Sequence, residues 1–176
     1  NAFFQLGESL MKGESPAGAE KRFQEMLEKY PDGPFSAEAL LRIAEIRRAQ
    51  ARWSEALEDY GKVMAAYSNS PSAVHAQHGR GMVLYNLLRF QEARDDFERV
   101  VRAGTNTAQG EQAFYMRALC DYGLGKDDQA LATCAEFVKL CPSYRLTTEV
   151  MLWIGKLNFN QGDFDPAEKQ FLQIAD

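Results

Sequence analysis

The sequence predicts an all-α protein, a solenoid of about five helix-turn-helix units, and three observations carry that prediction. Ala19, Ala56, Ala93, Ala130 and Ala167 stand 37 residues apart. The same spacing links Gly7, Ala44, Gly81, Ala118 and Gly155, and also Phe23, Tyr60, Phe97 and Phe171, with Cys134 the exception in the aromatic series. A repeat this long marks a stacked architecture in which each unit buries its apolar face against the next. Within units, apolar residues recur at three- and four-residue intervals, which is helical periodicity. No segment alternates with period two, so no sheet is expected.

Taken in order, the units span about residues 1–34, 35–71, 72–108, 109–145 and 146–176, together one solenoid domain. Each holds two helices. In the second unit Ala39, Leu40, Ile43, Ala44 and Arg47 define the first helix and Ala56, Leu57, Tyr60, Val63 and Met64 the second. The turns inside units include Lys12-Gly13-Glu14-Ser15-Pro16, Gly123-Leu124-Gly125-Lys126-Asp127 and Gln161-Gly162-Asp163-Phe164-Asp165-Pro166. There Gly ends one helix and Ser, Asp or Pro starts the next. The joints between units are Tyr30-Pro31-Asp32-Gly33-Pro34, Tyr67-Ser68-Asn69-Ser70-Pro71, Arg102-Ala103-Gly104-Thr105-Asn106 and Cys141-Pro142-Ser143-Tyr144. Pro and Gly stop helices there by the same logic. Gly or Ala on the first helix, 12 residues before Ala on the second, is expected to mark the closest approach of the pair. Asn1 enters directly into a helix and Asp176 closes one without a Gly cap, so both ends read as open and the chain as a piece of a longer one.

Composition narrows the function classes. The 176 residues are 45% hydrophobic and 26% charged, which argues against wholesale disorder. No apolar run approaches the roughly 18 residues of a membrane span. With 20 Lys+Arg against 25 Asp+Glu the net charge is -5, which disfavours a phosphate backbone, so nucleic acid is not an expected partner. Cys120, Cys134 and Cys141 make no metal or disulfide spacing and read as buried small hydrophobes.

The pattern resembles the tetratricopeptide repeat family over the whole chain. Leu6-Gly7, Leu10, Ala19, Phe23 and Pro31 follow the family's Leu-Gly, bulky, Ala, aromatic and Pro order, and WSEALEDY (Trp53 to Tyr60) and FQEARDDF (Phe90 to Phe97) look like its second-helix signature. The departures are a 37-residue period against a usual length of about 34, Arg47 and Asp121 where a bulky apolar residue belongs, and Cys134 in place of an aromatic. The joint YPDGPFSAEALLRIAEI is similar to those of bacterial cell-envelope members, which implies the periplasm or envelope, with the cytoplasm as alternative.

The resemblance implies a right-handed superhelix whose first helices line a concave groove. It places there Phe4, Glu8 and Met11, then Leu41, Glu45 and Arg48, then His75, His78, Met82 and Tyr85, then Tyr115, Leu119 and Tyr122, and finally Leu152, Lys156 and Phe159. Aromatic and Met residues suit an adaptable contact with a peptide or helix, and Tyr85, Tyr115 and Tyr122 are the expected anchors. Some members clamp a partner's C-terminal carboxylate with Lys and Asn; here those places carry Phe4, Glu8, Leu41, Glu45, His78 and Met82, so that clamp is not expected.

Candidate chemistry is sparse. His75 and His78 share a helix face and have chelating spacing, with Glu38 or Glu45 a conceivable third ligand, but no second shell marks them, and no metal is expected. Gly123-Leu124-Gly125-Lys126 lacks the features of a phosphate loop, and Asp163-Phe164-Asp165 has Glu168 where a calcium loop needs Gly. Arg42, Arg47, Arg48 and Arg52, balanced by Glu38, Glu45 and Glu55, read as a solvated or groove-edge face. With no nucleophile and base in defensible spacing, no catalytic residue and no cofactor is expected. The expectation is a scaffold that binds a protein or peptide partner. A recruiting segment of a larger enzyme and self-association through the open ends are the alternatives.

Overall fold

The computed structural model describes residues 2–13, 15–105, 107–143 and 145–175. The expectations placed on Asn1, Glu14, Asn106, Tyr144 and Asp176 lie outside the described residues. Ten helices and no strand are present among the described residues: α1 (Ala2–Lys12), α2 (Pro16–Lys29), α3 (Ser36–Ala49), α4 (Trp53–Ala66), α5 (Pro71–Asn86), α6 (Phe90–Ala103), α7 (Ala108–Gly123), α8 (Asp127–Leu140), α9 (Thr147–Gln161) and α10 (Phe164–Ala175). The all-α repeat of helix pairs is therefore what the periodicity predicted.

One turn geometry recurs in all five pairs. The backbone N–H of Ser15, Arg52, Arg89, Lys126 and Asp163 donates to the carbonyl five residues back, on Leu10, Arg47, Leu84, Asp121 and Asn158, at 2.9, 2.9, 2.9, 3.0 and 2.9 Å. This is the six-to-one bond of a helix C-terminus that turns through a left-handed residue. That residue is Gly125 (φ 70°) and Gly162 (φ 87°) in the last two pairs, but Ala51 (φ 56°) and Leu88 (φ 59°) in earlier ones. The repeat Ala follows at once, since Ala19, Ala56, Ala93, Ala130 and Ala167 each donate to the residue that closes the turn. At the joints a side chain finishes the preceding helix: Ser36 Oγ donates to the Tyr30 carbonyl (2.7 Å) and Thr147 Oγ1 to the Cys141 carbonyl (2.9 Å).

The chain packs as two compact units, Asn1–Val83 and Leu84–Asp176. In the first, Ala19, Phe23 and Met26 of α2 are buried with Ala39, Ile43 and Ile46 of α3, while Leu41 and Ala44 join Ala56, Tyr60 and Val63 of α4 and Ala76 and Val83 of α5. In the second, Phe114 and Ala118 of α7, Cys134 and Phe137 of α8, and Val150 and Ile154 of α9 form the core with Cys141.

Two glycines of the small-residue series make room for an aromatic ring. The space left by Gly7 is filled by the ring of Phe23, since a Cβ there would lie 2.5 Å from it, and Gly155 meets Phe171 in the same way. The closest neighbour is thus the aromatic 16 residues on, one turn beyond the expected Ala. Cys134 also finds its reason. Phe23, Tyr60 and Phe97 are each followed three residues later by Met26, Val63 and Val100, whereas Cys134 is followed by Phe137. Large and small have exchanged places along α8, and Phe137 (0% exposed) packs edge-on to Phe114 at 5.7 Å. Volume is held while position shifts by one turn.

Candidate functional site

In the first unit the expected groove residues are largely engaged. Leu41 is 2% exposed in the core, covered by Ala76 and Val83 of α5, so it offers no surface. Phe4 is half-buried, stacked on Phe35 (5.2 Å) and tilted against Phe23 (5.6 Å), and Met11 packs on the same cluster. Glu8 and Glu45 both accept hydrogen bonds from Arg42, at 2.8 and 2.9 Å, and Glu38 accepts a longer one at 3.3 Å. Three carboxylates on two helices thus converge on one guanidinium. Arg48 acts electrostatically on Tyr60, whose phenol burial pushes up to about 12 against the pull of that charge.

His75 is exposed, and His78 and Met82 are half-buried. Burial, helped by Arg48 and His75, pushes the His78 imidazole down to about 4, so it is neutral at pH 7. No group of three or more His, Cys, Asp or Glu side chains that could hold a metal occurs among the described residues.

The arginines read as solvated divide into two kinds. Arg47, with a side chain 15% exposed, donates to Glu20 of α2 (2.8 Å) and to Asp59 of α4 (2.7 Å), so it is an interior tie rather than a solvated residue. Arg52 adds a bond to Glu20 (2.7 Å) and a bidentate pair with Glu55. The second unit repeats this with charge reversed: Asp121, fully buried, accepts from Arg94 of α6 (2.5 Å) and Thr133 of α8 (3.4 Å). The offsets of 27 and 12 residues are the same in both. Arg47 and Asp121, two of the departures from the family pattern, are therefore the centres of inter-helix polar networks. Burial holds the Asp59 carboxyl above its ordinary range despite Arg47, while its two arginines outweigh burial and draw Glu20 below it.

The second unit carries the open surface. On α9, Leu152 (40% exposed), Lys156 and Phe159 (56%) follow one another at four- and three-residue spacing, which aligns them on one helix face. Tyr122 of α7 is 47% exposed and packs edge-on to Trp153 of α9, with ring centroids 5.4 Å apart. Phe159 in turn meets Phe164 of α10 edge-on at 5.3 Å. The other expected members lie deeper: Tyr85 is half-buried edge-on to Phe90 (5.4 Å), Leu119 is half-buried, and Tyr115 is tilted against buried Phe137 (6.4 Å). Of the three expected anchors, Tyr122 alone has a largely open ring. Trp153 and Phe164 escaped the sequence reading. Trp153 occupies the register of Arg42, Gly79 and Met116, and so large a ring in that series is the signal that marks it.

Cys120, Cys134 and Cys141 are free thiols buried in the interior, and burial pushes the first two up to about 12. They are inert packing, as expected from the sequence.

A family model described as Tetratricopeptide repeat matches residues 4–74 and 78–145, and a second of the same description matches 149–176. No curated protein sequence matches the chain. Among solved structures it is similar to MamA (41-end) from Desulfovibrio magneticus RS-1, with a TM-score of 0.81, 18% identity, and coverage of 99% of this chain and 92% of that one. It is also similar to a tetratricopeptide repeat protein from Parabacteroides merdae ATCC 43184 (TM-score 0.80, 16% identity, 98% and 64% covered). PilF of Pseudomonas aeruginosa follows (TM-score 0.75, 21% identity, 99% and 74% covered). At these identities the likeness is one of fold.

Proposed function

Because the chain belongs to the tetratricopeptide repeat family, we propose that it is a scaffold that binds a peptide or helix of a partner protein on its first-helix surface, centred on the aromatic face of α7 and α9. The observation that carries this is the open apolar stripe of Tyr122, Leu152 and Phe159 with Lys156 among them. Large rings at low conformational cost beside one cation suit a partner segment with apolar side chains and an acidic residue. The surface is pre-formed, since Trp153 braces Tyr122 and Phe164 braces Phe159, so little ordering entropy opposes binding. The work is presentation of a surface, without bond-making chemistry. On the resemblance of its joint to envelope members, we place this activity in the cell envelope, with the cytoplasm as alternative; fractionation of the native protein decides between them.

The test is affinity capture with wild type and with Tyr122→Ala/Phe159→Ala. Both rings are largely exposed, so the variant keeps its helical circular dichroism. Loss of a captured partner supports the reading, and retention of the same partner moves the site elsewhere.

A further inference from the structure

We infer that the first compact unit carries an anion site centred on Arg48 of α3 and flanked by His75 and His78 of α5, which takes the side-chain carboxylate of an acidic residue in a partner segment. On α3 and the turn after it, Arg42, Arg47 and Arg52 are each held by at least two carboxylates. Arg48 is half-buried as they are, yet among the described residues no carboxylate lies within ion-pair distance of its guanidinium. A partly desolvated cation without a counter-charge is costly, and an incoming anion relieves that cost. Tyr60 of α4 adds an independent sign. It is 0% exposed, and its hydroxyl makes no hydrogen bond of normal length among the described residues. Its Oη lies against Gly79 of α5, where a Cβ would stand 2.6 Å away, one residue past His78. Arg48 acts electrostatically on both Tyr60 and His78, so guanidinium, phenol and imidazole stand close together. His75, one turn before His78 on the same helix face, is exposed, and the site opens to solvent there.

The charge balance specifies the ligand. Arg48 supplies a single positive charge, and Glu45, which also acts on Tyr60, stands nearby. One cation beside one carboxylate favours a monoanion over a phosphate dianion. A planar carboxylate also matches the parallel N–H groups of a guanidinium, and it brings the acceptor that the Tyr60 O–H lacks. Glu8 and Glu45, engaged by Arg42, stand where other family members hold a chain's terminal carboxylate with Lys and Asn, and they offer a terminus no donor. A side-chain carboxylate needs only Arg48 and reaches it on its own methylene arm. The site lies within the first unit and does not depend on the aromatic face of α7 and α9.

His75 and His78 are the only histidines of the chain, so their ring-proton NMR signals, assigned with His75→Gln, report on the site. The probes are acetyl-Ala-Glu-Ala-amide, its neutral counterpart acetyl-Ala-Gln-Ala-amide, acetyl-Ala-Ala-Ala with a free C-terminus, and inorganic phosphate. Each is titrated into the full chain at neutral pH and constant ionic strength. The Glu peptide should shift the His78 signal saturably at millimolar concentration, and the Gln peptide should not. Arg48→Gln should abolish the response, and Arg48→Lys, which keeps the charge but loses the bidentate geometry, should weaken it about tenfold. Tyr60→Phe should weaken it about threefold. Arg48 has no counter-charge to lose, so Arg48→Gln keeps its helical circular dichroism; should it not, Arg48→Lys decides alone. Absence of a saturable shift, an equal shift with the Gln peptide, or a response that survives Arg48→Gln overturns the proposal. So does tighter binding of phosphate or of the free C-terminus, which assigns the site to a different anion.

Discussion

Adding one methyl group at two glycines of the first unit should move stability in opposite directions. Gly61 lies within α4, and a Cβ built on it meets nothing within 4 Å. Gly61→Ala therefore collects the helix-propensity gain of about 0.5–1 kcal/mol with no steric cost. Gly79 lies within α5, where a Cβ would stand 2.5 Å from Tyr60 Cζ and 2.6 Å from its Cε1 and Oη. Ordinary contact begins near 3.4 Å, so the ring or the helix must yield by close to an ångström. Tyr60 is 0% exposed, so its ring has no route out. Overpacking of this kind costs about 1–3 kcal/mol. Against the same propensity gain, Gly79→Ala comes out destabilising by about 0.5–2 kcal/mol. For a chain of this length each kcal/mol shifts Tm by about 2–4 °C. Thermal unfolding followed by far-ultraviolet circular dichroism should show Gly61→Ala above wild type and Gly79→Ala below it. A rise in Tm for Gly79→Ala matching that for Gly61→Ala would refute the close packing of α5 on the Tyr60 ring.

Three further outcomes follow from the same contacts. Leu88, 72% exposed at φ 59°, bears left-handed strain with little burial in return, so Leu88→Gly should raise stability by about 0.5–1 kcal/mol in denaturant unfolding. Arg47→Leu leaves the Asp59 carboxyl, 4% exposed, without its main ion pair and should cost about 2–4 kcal/mol; Arg47→Leu/Asp59→Leu should recover part of that, measured by the same titration. His78, at about 4 in the folded chain against 6.5 in its absence, binds fewer protons folded than unfolded. Stability from this site is therefore full above pH 6.5 and falls by up to about 2–3 kcal/mol as pH drops towards 4. Unfolding of wild type and His78→Gln across that window should show the difference narrowing.

The helix pairs were legible because every unit buries the same register, so Ala19 and its counterparts could not drift without losing contact. The compensations between registers were harder to read. Phe137 restores the volume missing at Cys134 from one turn away, and only packing shows which cavity its ring enters. Ala51 and Leu88 take the conformation that Gly125 and Gly162 announce openly, because the same turn hydrogen bond, Arg52 N–H to the Arg47 carbonyl and Arg89 N–H to the Leu84 carbonyl, closes each turn. Leu41 carried the same apolar signal as Leu152, yet the first is 2% and the second 40% exposed. The difference lies in a neighbouring helix, which a repeat alignment treats as equivalent at every position. Arg47 and Asp121 were visible as departures, but their partners 27 residues away and in opposite charge order emerge only when two pairs are stacked.

The central claim is that a partner lies on the first-helix face of α7 and α9. Site-specific incorporation of a photo-cross-linking phenylalanine at Leu152, with Leu140 (54% exposed, on the second helix α8) as control, tests it most directly in native extract. Ultraviolet irradiation should join a discrete partner to the Leu152 derivative, leave the Leu140 derivative free, and fail once Tyr122→Ala/Phe159→Ala is combined with it. Cross-linking of the same partner from Leu140 and not from Leu152 would contradict the account.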